Sequence, residues 1–307
     1  MRIFLIVMCC LGLAGCDDFD FDNGGGNGRY RQDFHFSYPL SASGSVQLEN
    51  SNGSVEISGW DKNTVEIEGT KYANTEERLA QMKIDVISSA NSVSIRTVPP
   101  LDRHGNFGAR YVIHVPRQAE LASISSSNGA IREDGVEGNS HLKTSNGSVH
   151  ASQIQGLLDV QTSNGSVEVS DVTGDTTLRT SNGSIRAEIR KGRFEARTSN
   201  GGIDVRLREA DSKPIRLASS NGHIDLTMDA AREVHADTSN SSITVRMPSS
   251  AGVNLRAHTS GSAIASDFEV SVHGGNFSKS RLEGAIGSGG PLVDLTTTNG
   301  RIRLMKF

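Results

Sequence analysis

The chain has 307 residues, with 31 Lys and Arg against 35 Asp and Glu and a formal net charge of −4, so no single-sign field argues for nucleic acid or another polyanion as a partner. Its 33 glycines and 5% aromatic content point to many tight turns and a core of small aliphatic side chains, which suits a stacked repeat better than a globule.

Residues 1–15 carry an export signal: Arg2 supplies a positive start, and the apolar run from Ile3 to Leu13 has the length of a signal-peptide core. That run is too short to cross a bilayer as a helix, which takes about 20 apolar residues. It ends in Leu13-Ala14-Gly15-Cys16, which resembles the lipobox of bacterial lipoproteins, with Cys16 as the lipid attachment residue and the new N-terminus. Cys9 and Cys10 fall in the removed segment, so the mature chain has no cysteine for a disulfide or a metal site. The rest of residues 16–29, rich in Asp, Asn and Gly, cannot bury enough apolar surface to fold and forms a flexible linker. Asp17 resembles the signal that retains lipoproteins at the inner membrane in enteric Gram-negative bacteria. The expected location is therefore the cell envelope, with the membrane as a partner through the N-terminal lipid.

Residues 30–117 are expected to form an irregular β cap over the N-terminal end of the stack, which would otherwise expose an unpaired edge. Strand patterns occur at 46–48, 54–57, 64–68, 83–88, 92–97 and 109–115. Thr75 followed by Glu76, Glu77, Arg78, Leu79 and Ala80 has a capping residue and good helix formers, predicting one short helix. Trp60, the only tryptophan, is expected in the core of this cap.

Residues 118–307 hold the regular repeats, whose motif already occurs once in the cap. Ser-Asn-Gly recurs at Asn52, Asn128, Asn146, Asn164, Asn182, Asn200 and Asn221; Asn240 keeps Ser-Asn, and Asn299 keeps Asn-Gly. The step from Asn128 to Asn200 is 18 residues four times running, then 21 and 19. The last gap, 59 residues, is expected to hold three further units whose motif has decayed around Ser260-Gly261 and Gly274-Gly275.

Aligned on the asparagine, the columns separate by chemistry. Four residues before it stand Leu142, Val160, Leu178 and Ala196, and three after it Val149, Val167, Ile185 and Ile203, both expected inward. Two before it stand Thr144, Thr162, Thr180 and Thr198; three before it Lys143, Gln161, Arg179 and Arg197 face solvent. That is the period-two pattern of a strand. Each unit is thus strand, Ser-Asn-Gly corner, strand and looser connection, with glycine expected to supply a positive φ at the corner. A chain of hairpins or an antiparallel stack or sandwich is the alternative, since Asn-Gly is also a hairpin signal. Fixed residue types at a fixed period favour an all-β solenoid, in which equivalent side chains lie about 4.8 Å apart on neighbouring coils.

Stacked in this way, Asn128, Asn146, Asn164, Asn182, Asn200, Asn221 and Asn240 predict a structural amide ladder turned inward, with a row of ligand-binding amides as the other reading. The outward column four residues after the asparagine alternates in sign at Glu168, Arg186 and Asp204. Asp204 over Asp225 does not alternate. These two are the weak metal candidates, because like charges on adjacent coils repel unless a cation or a sugar hydroxyl lies between them.

The Ser-Asn-Gly-Ser-Val units, Gly59-Trp60-Asp61 and Val115-Pro116 together resemble the bacterial putative-adhesin family of β-strand-repeat domains of unknown function, over roughly residues 40–307. The resemblance implies an envelope protein, often lipid-anchored, and carries over no catalytic residue.

The alternative of a polysaccharide-acting enzyme on a β-helix needs carboxylates converging in one groove. Here the acids are dispersed one per coil, the nine histidines show no ligand spacing, and no nucleophile elbow stands at a strand end. No catalytic residue and no cofactor is expected. The remaining reading is a binding or structural module whose partner is an envelope glycan or protein, met through polar ladders of Ser, Thr and Asn.

Overall fold

The computed structural model describes residues 29–102, 104–272 and 278–307. The signal segment, Cys16 and the linker to residue 28 lie outside the described residues, as does the expected motif at Gly274-Gly275.

The repeats form two facing sheets, of 13 and 14 strands among the described residues, and the chain steps from one to the other at every corner. One unit shows the plan: strand Leu158–Gln161 lies in one sheet, the chain turns at Ser163-Asn164-Gly165, and strand Val167–Thr173 lies in the other. Equivalent strands pair in parallel and in register, Val160 with Leu178 and Val167 with Ile185. Hairpins would have paired antiparallel, so the chain is a β-solenoid. The two apolar columns face each other between the sheets, and Val160, Leu178, Val167 and Ile185 are all buried. Each such side chain contributes roughly 1.5–3 kcal/mol.

The ends are built differently from the expected simple succession. Strands Ser45–Asn50 and Val55–Trp60 form a coil that sits between the coil of Ser92–Val98 and Phe107–Pro116 and that of Glu120–Ser126 and Ile131–Asp134. At the other end, Leu292–Thr297 and Ile302–Lys306 form a coil inserted between two others. On one side lie Val234–Thr238 and Ile243–Met247, and on the other Val253–Thr259 and Ile264–Ser266. The 59-residue gap is therefore not three successive units, because the coil of Asn299 returns to lie directly on that of Asn240.

Among the described residues, antiparallel pairs end both sheets on the N-terminal side and one sheet on the C-terminal side, where the other sheet ends on the parallel strand Ile264–Ser266. Tyr30–Pro39 pairs with Thr64–Ala73, Lys83–Ser89 with Ser92–Val98, and Val253–Thr259 with Arg281–Ile286. Strand Tyr30–Pro39 adds to the strands expected from the sequence; its Phe34, Phe36 and Tyr38 alternate with polar residues and pack on the core. The short helix is Glu76–Gln81, capped by Thr75, whose hydroxyl accepts from the Arg78 amide at 3.3 Å.

Candidate functional site

The Ser-Asn-Gly corners stack into one edge of the solenoid. There the threonine column, in the inward phase of the strand, makes two bonds per coil: Thr162 Oγ1 donates to the Gly147 carbonyl at 3.1 Å and accepts from the Gly165 amide at 3.2 Å. Thr144, Thr180 and Thr198 repeat this arrangement. The buried side of the corner is thus held by hydroxyls.

At the regular corners from Gly129 onward, glycine serves by closeness, not by φ. A Cβ on Gly165 would stand 1.7 Å from the Gly147 carbonyl oxygen, and one on Gly183 1.8 Å from that of Gly165. The expected positive φ is met at the first corner, Gly53 (114°), whereas from Gly129 onward it occurs instead in the looser connections, at Gly174 (143°) and Gly192 (110°).

The asparagine amides bond in series. Asn164 Nδ2 donates to Asn146 Oδ1 at 2.7 Å, Asn182 to Asn164 at 2.7 Å and Asn200 to Asn182 at 2.7 Å. The series begins with Asn128 donating to Asn52 and Asn146 to Asn128, and it ends with Asn221, Asn240 and Asn299. Asn128 through Asn240 are all exposed, which corrects the expectation of an inward ladder. The turn breaks the strand alternation at the serine, so the asparagine leaves the inward phase. Each amide keeps one N–H and acceptor capacity for solvent or a ligand.

Beside this ridge runs a trough of about 490 Å³ spanning five coils. Lys143, Gln161, Arg179 and Arg197 form one wall, and Ser145, Ser163, Ser181, Ser199 and Ser220 lie toward the ladder. A larger cleft of about 1050 Å³ lies where the cap meets the head of the ladder, with Asn52, Asn128, Asn146, Tyr72 and Arg110 among its lining residues.

Asp204 and Asp225 lie in register on adjacent strands. His223, which the column pattern does not single out, completes a group whose ligand atoms lie within 4.8 Å of one another. Its Nε2 is 3.5 Å from Asp204, and Arg246 Nη1 is 3.9 Å from Asp225, so each carboxylate has a protein group facing it. Arg186 forms no ion pair with Glu168 or Asp204 among the described residues; Glu168 faces His150 at 3.4 Å instead.

Trp60 lies half-buried outside the main core, correcting its expected place. Its indole donates to the Thr64 carbonyl at 2.8 Å, stacks on His114 at 5.1 Å and carries Lys62 4.3 Å from the ring centre. With those neighbours on its ring, it is a clamp rather than a free platform for sugars.

Two buried charged groups go unmarked in the sequence columns. Glu133 is fully buried in the column that elsewhere holds Ile57, Ala151 and Val169, and burial raises its pKa to about 7 against the opposing effect of the Ser140 hydroxyl bond. Its position five residues after Asn128 was the available signal. Arg232, also fully buried, donates to the carbonyls of Gly192 at 2.5 Å and Lys213 at 3.1 Å, tying together two connections on neighbouring coils.

A parallel solenoid carrying polar side-chain ladders along a stacked corner defines a repeat-array protein of the β-solenoid class. The chain matches the family model Toastrack DUF4097 over residues 33–305 and belongs to that family. No curated protein matches it. Among solved structures, it is similar to a "putative cell adhesion protein" from Clostridium sporogenes at 12% identity, covering 90% of this chain and 100% of that one with a TM-score of 0.25. It is also similar to a "putative adhesin" from Bacteroides fragilis at 12% identity, covering 89% and 97% with a TM-score of 0.29.

Proposed function

We propose that the protein is an exported, lipid-anchored component of the cell envelope whose solenoid binds glycans without catalysis. The trough beside the asparagine ladder carries this reading. It offers serine hydroxyls once per coil, about 4.8 Å apart, and the asparagine ridge beside it adds unspent amide groups at the same spacing, so a polymer of hydroxyl-bearing rings can meet many weak contacts at once. The distribution of acids supports a non-catalytic role, because several carboxylates on the outer surface are engaged by arginine: Glu188 by Arg208 at 2.7 Å and Asp229 by Arg206 at 3.1 Å. Cys16 supplies the anchor in this proposal, and the linker after it lets the solenoid stand off the membrane.

A glycan array probed with the full-length protein in nonionic detergent tests the binding. Glycan signal that falls in a Ser163→Trp, Ser181→Trp variant supports the trough; signal unaffected by filling it contradicts the assignment, and no glycan signal contradicts glycan binding. Metabolic labelling with a fatty-acid probe tests the anchor. Label lost in Cys16→Ser is the expected result, and label retained removes the lipoprotein reading.

A further inference from the structure

Resting on that glycan-binding reading, we propose that the trough takes an acidic polysaccharide. The nearly balanced charge of the whole chain conceals a local excess. Lys143, Arg179 and Arg197 line the trough, and no carboxylate does so among the described residues.

The nearby acids fix the cations without filling the trough. Glu195 lies 3.3 Å from Arg179 Nη2 and 2.9 Å from Arg197 Nε, while Asp159 lies 3.6 Å from Arg179 Nη1. A guanidinium has five N–H donors, so these contacts leave donors free for an incoming anion. Lys143 has no carboxylate within 4.0 Å among the described residues, and its side chain is exposed.

The cations also have a spacing. Parallel register places Arg179 beside Arg197 and sets Gln161 between Lys143 and Arg179. The cations therefore recur at about 5 and about 10 Å along the stack. The same column becomes Asp237 further along, in register with Ala218, which limits the basic stretch. A polymer with regularly spaced carboxylates or sulfates can place anions against the three cations and hydroxyls against the serines. A neutral glycan uses only the second set.

The test is calorimetric binding of the full-length protein, in nonionic detergent, to polygalacturonate, dextran sulfate and neutral dextran. Binding to either anionic polymer, weakened at least about tenfold in R179Q/R197Q and by raising NaCl to about 0.5 M, is the expected result. The responding polymer tells carboxylate from sulfate. Arg186→Gln, on the other sheet, should retain wild-type affinity, and circular dichroism melts should show R179Q/R197Q folded; Lys143→Gln replaces it if they do not. Unchanged affinity after removal of the cations overturns the proposal. Binding to neutral dextran but to neither anionic polymer overturns it while leaving the glycan-binding reading intact, whereas loss of both readings follows if no glycan binds here or on the array.

Discussion

The hydroxyl of Thr162 lies 3.1 Å from the carbonyl oxygen of Gly147 on the preceding coil, and the pair is buried beneath the exposed asparagine ladder. Thr162→Val keeps the shape but leaves the Gly147 carbonyl and the Gly165 amide without this partner, at about 1–3 kcal/mol for each unsatisfied group. Asn164→Leu breaks two bonds at an exposed position and should cost only about 1–2 kcal/mol. Arg186→Glu should cost about 1 kcal/mol or less. Denaturant melts of the three variants should rank in that order, with Thr162→Val the most destabilised.

Gly165→Ala should be more damaging than its small change in volume suggests. The added Cβ would meet backbone at 1.7 Å, and the Gly147 carbonyl cannot swing aside without breaking the corner. The expected loss exceeds about 3 kcal/mol, in the range reserved for steric or core disruption. A thermal melt close to wild type would show that adjacent corners are more widely separated than described.

Glu133 predicts a pH dependence. Its pKa rises from an ordinary 4.5 to about 7 on folding, so the folded state holds the proton more tightly. The stability contribution is complete below about pH 4.5 and is lost as pH rises through about 7, amounting to roughly 3 kcal/mol. Glu133→Gln should flatten this slope and raise the melting temperature at pH 8. An unchanged slope in the variant would assign the dependence to other groups.

The repeat made much of the architecture legible. Fixed columns at 18-residue steps identified the two inward strands of each coil and the bonding order of the asparagines. Their exposure was not legible, because period-two alternation stops at the turn where they lie. The inserted coil at the C-terminal end was also hidden, since spacing along the chain does not distinguish three successive units from one coil returning to Asn240. Glu133 and the strand carrying Phe34 and Phe36 did leave signals, in column position and in alternation. Arg232 lies in a connection of irregular length and left none. Asp204 and Asp225 were found from register, whereas His223 belongs to the corner rather than to their column.

Hydrogen–deuterium exchange of the full-length protein, with and without the best-binding glycan from the array, tests the binding face most directly. Protection should recur at 18-residue intervals, over residues 143–147, 161–165, 179–183 and 197–201, because these segments border one continuous trough. Protection confined to residues 30–117, or absent from those four segments, would contradict binding along the ladder face.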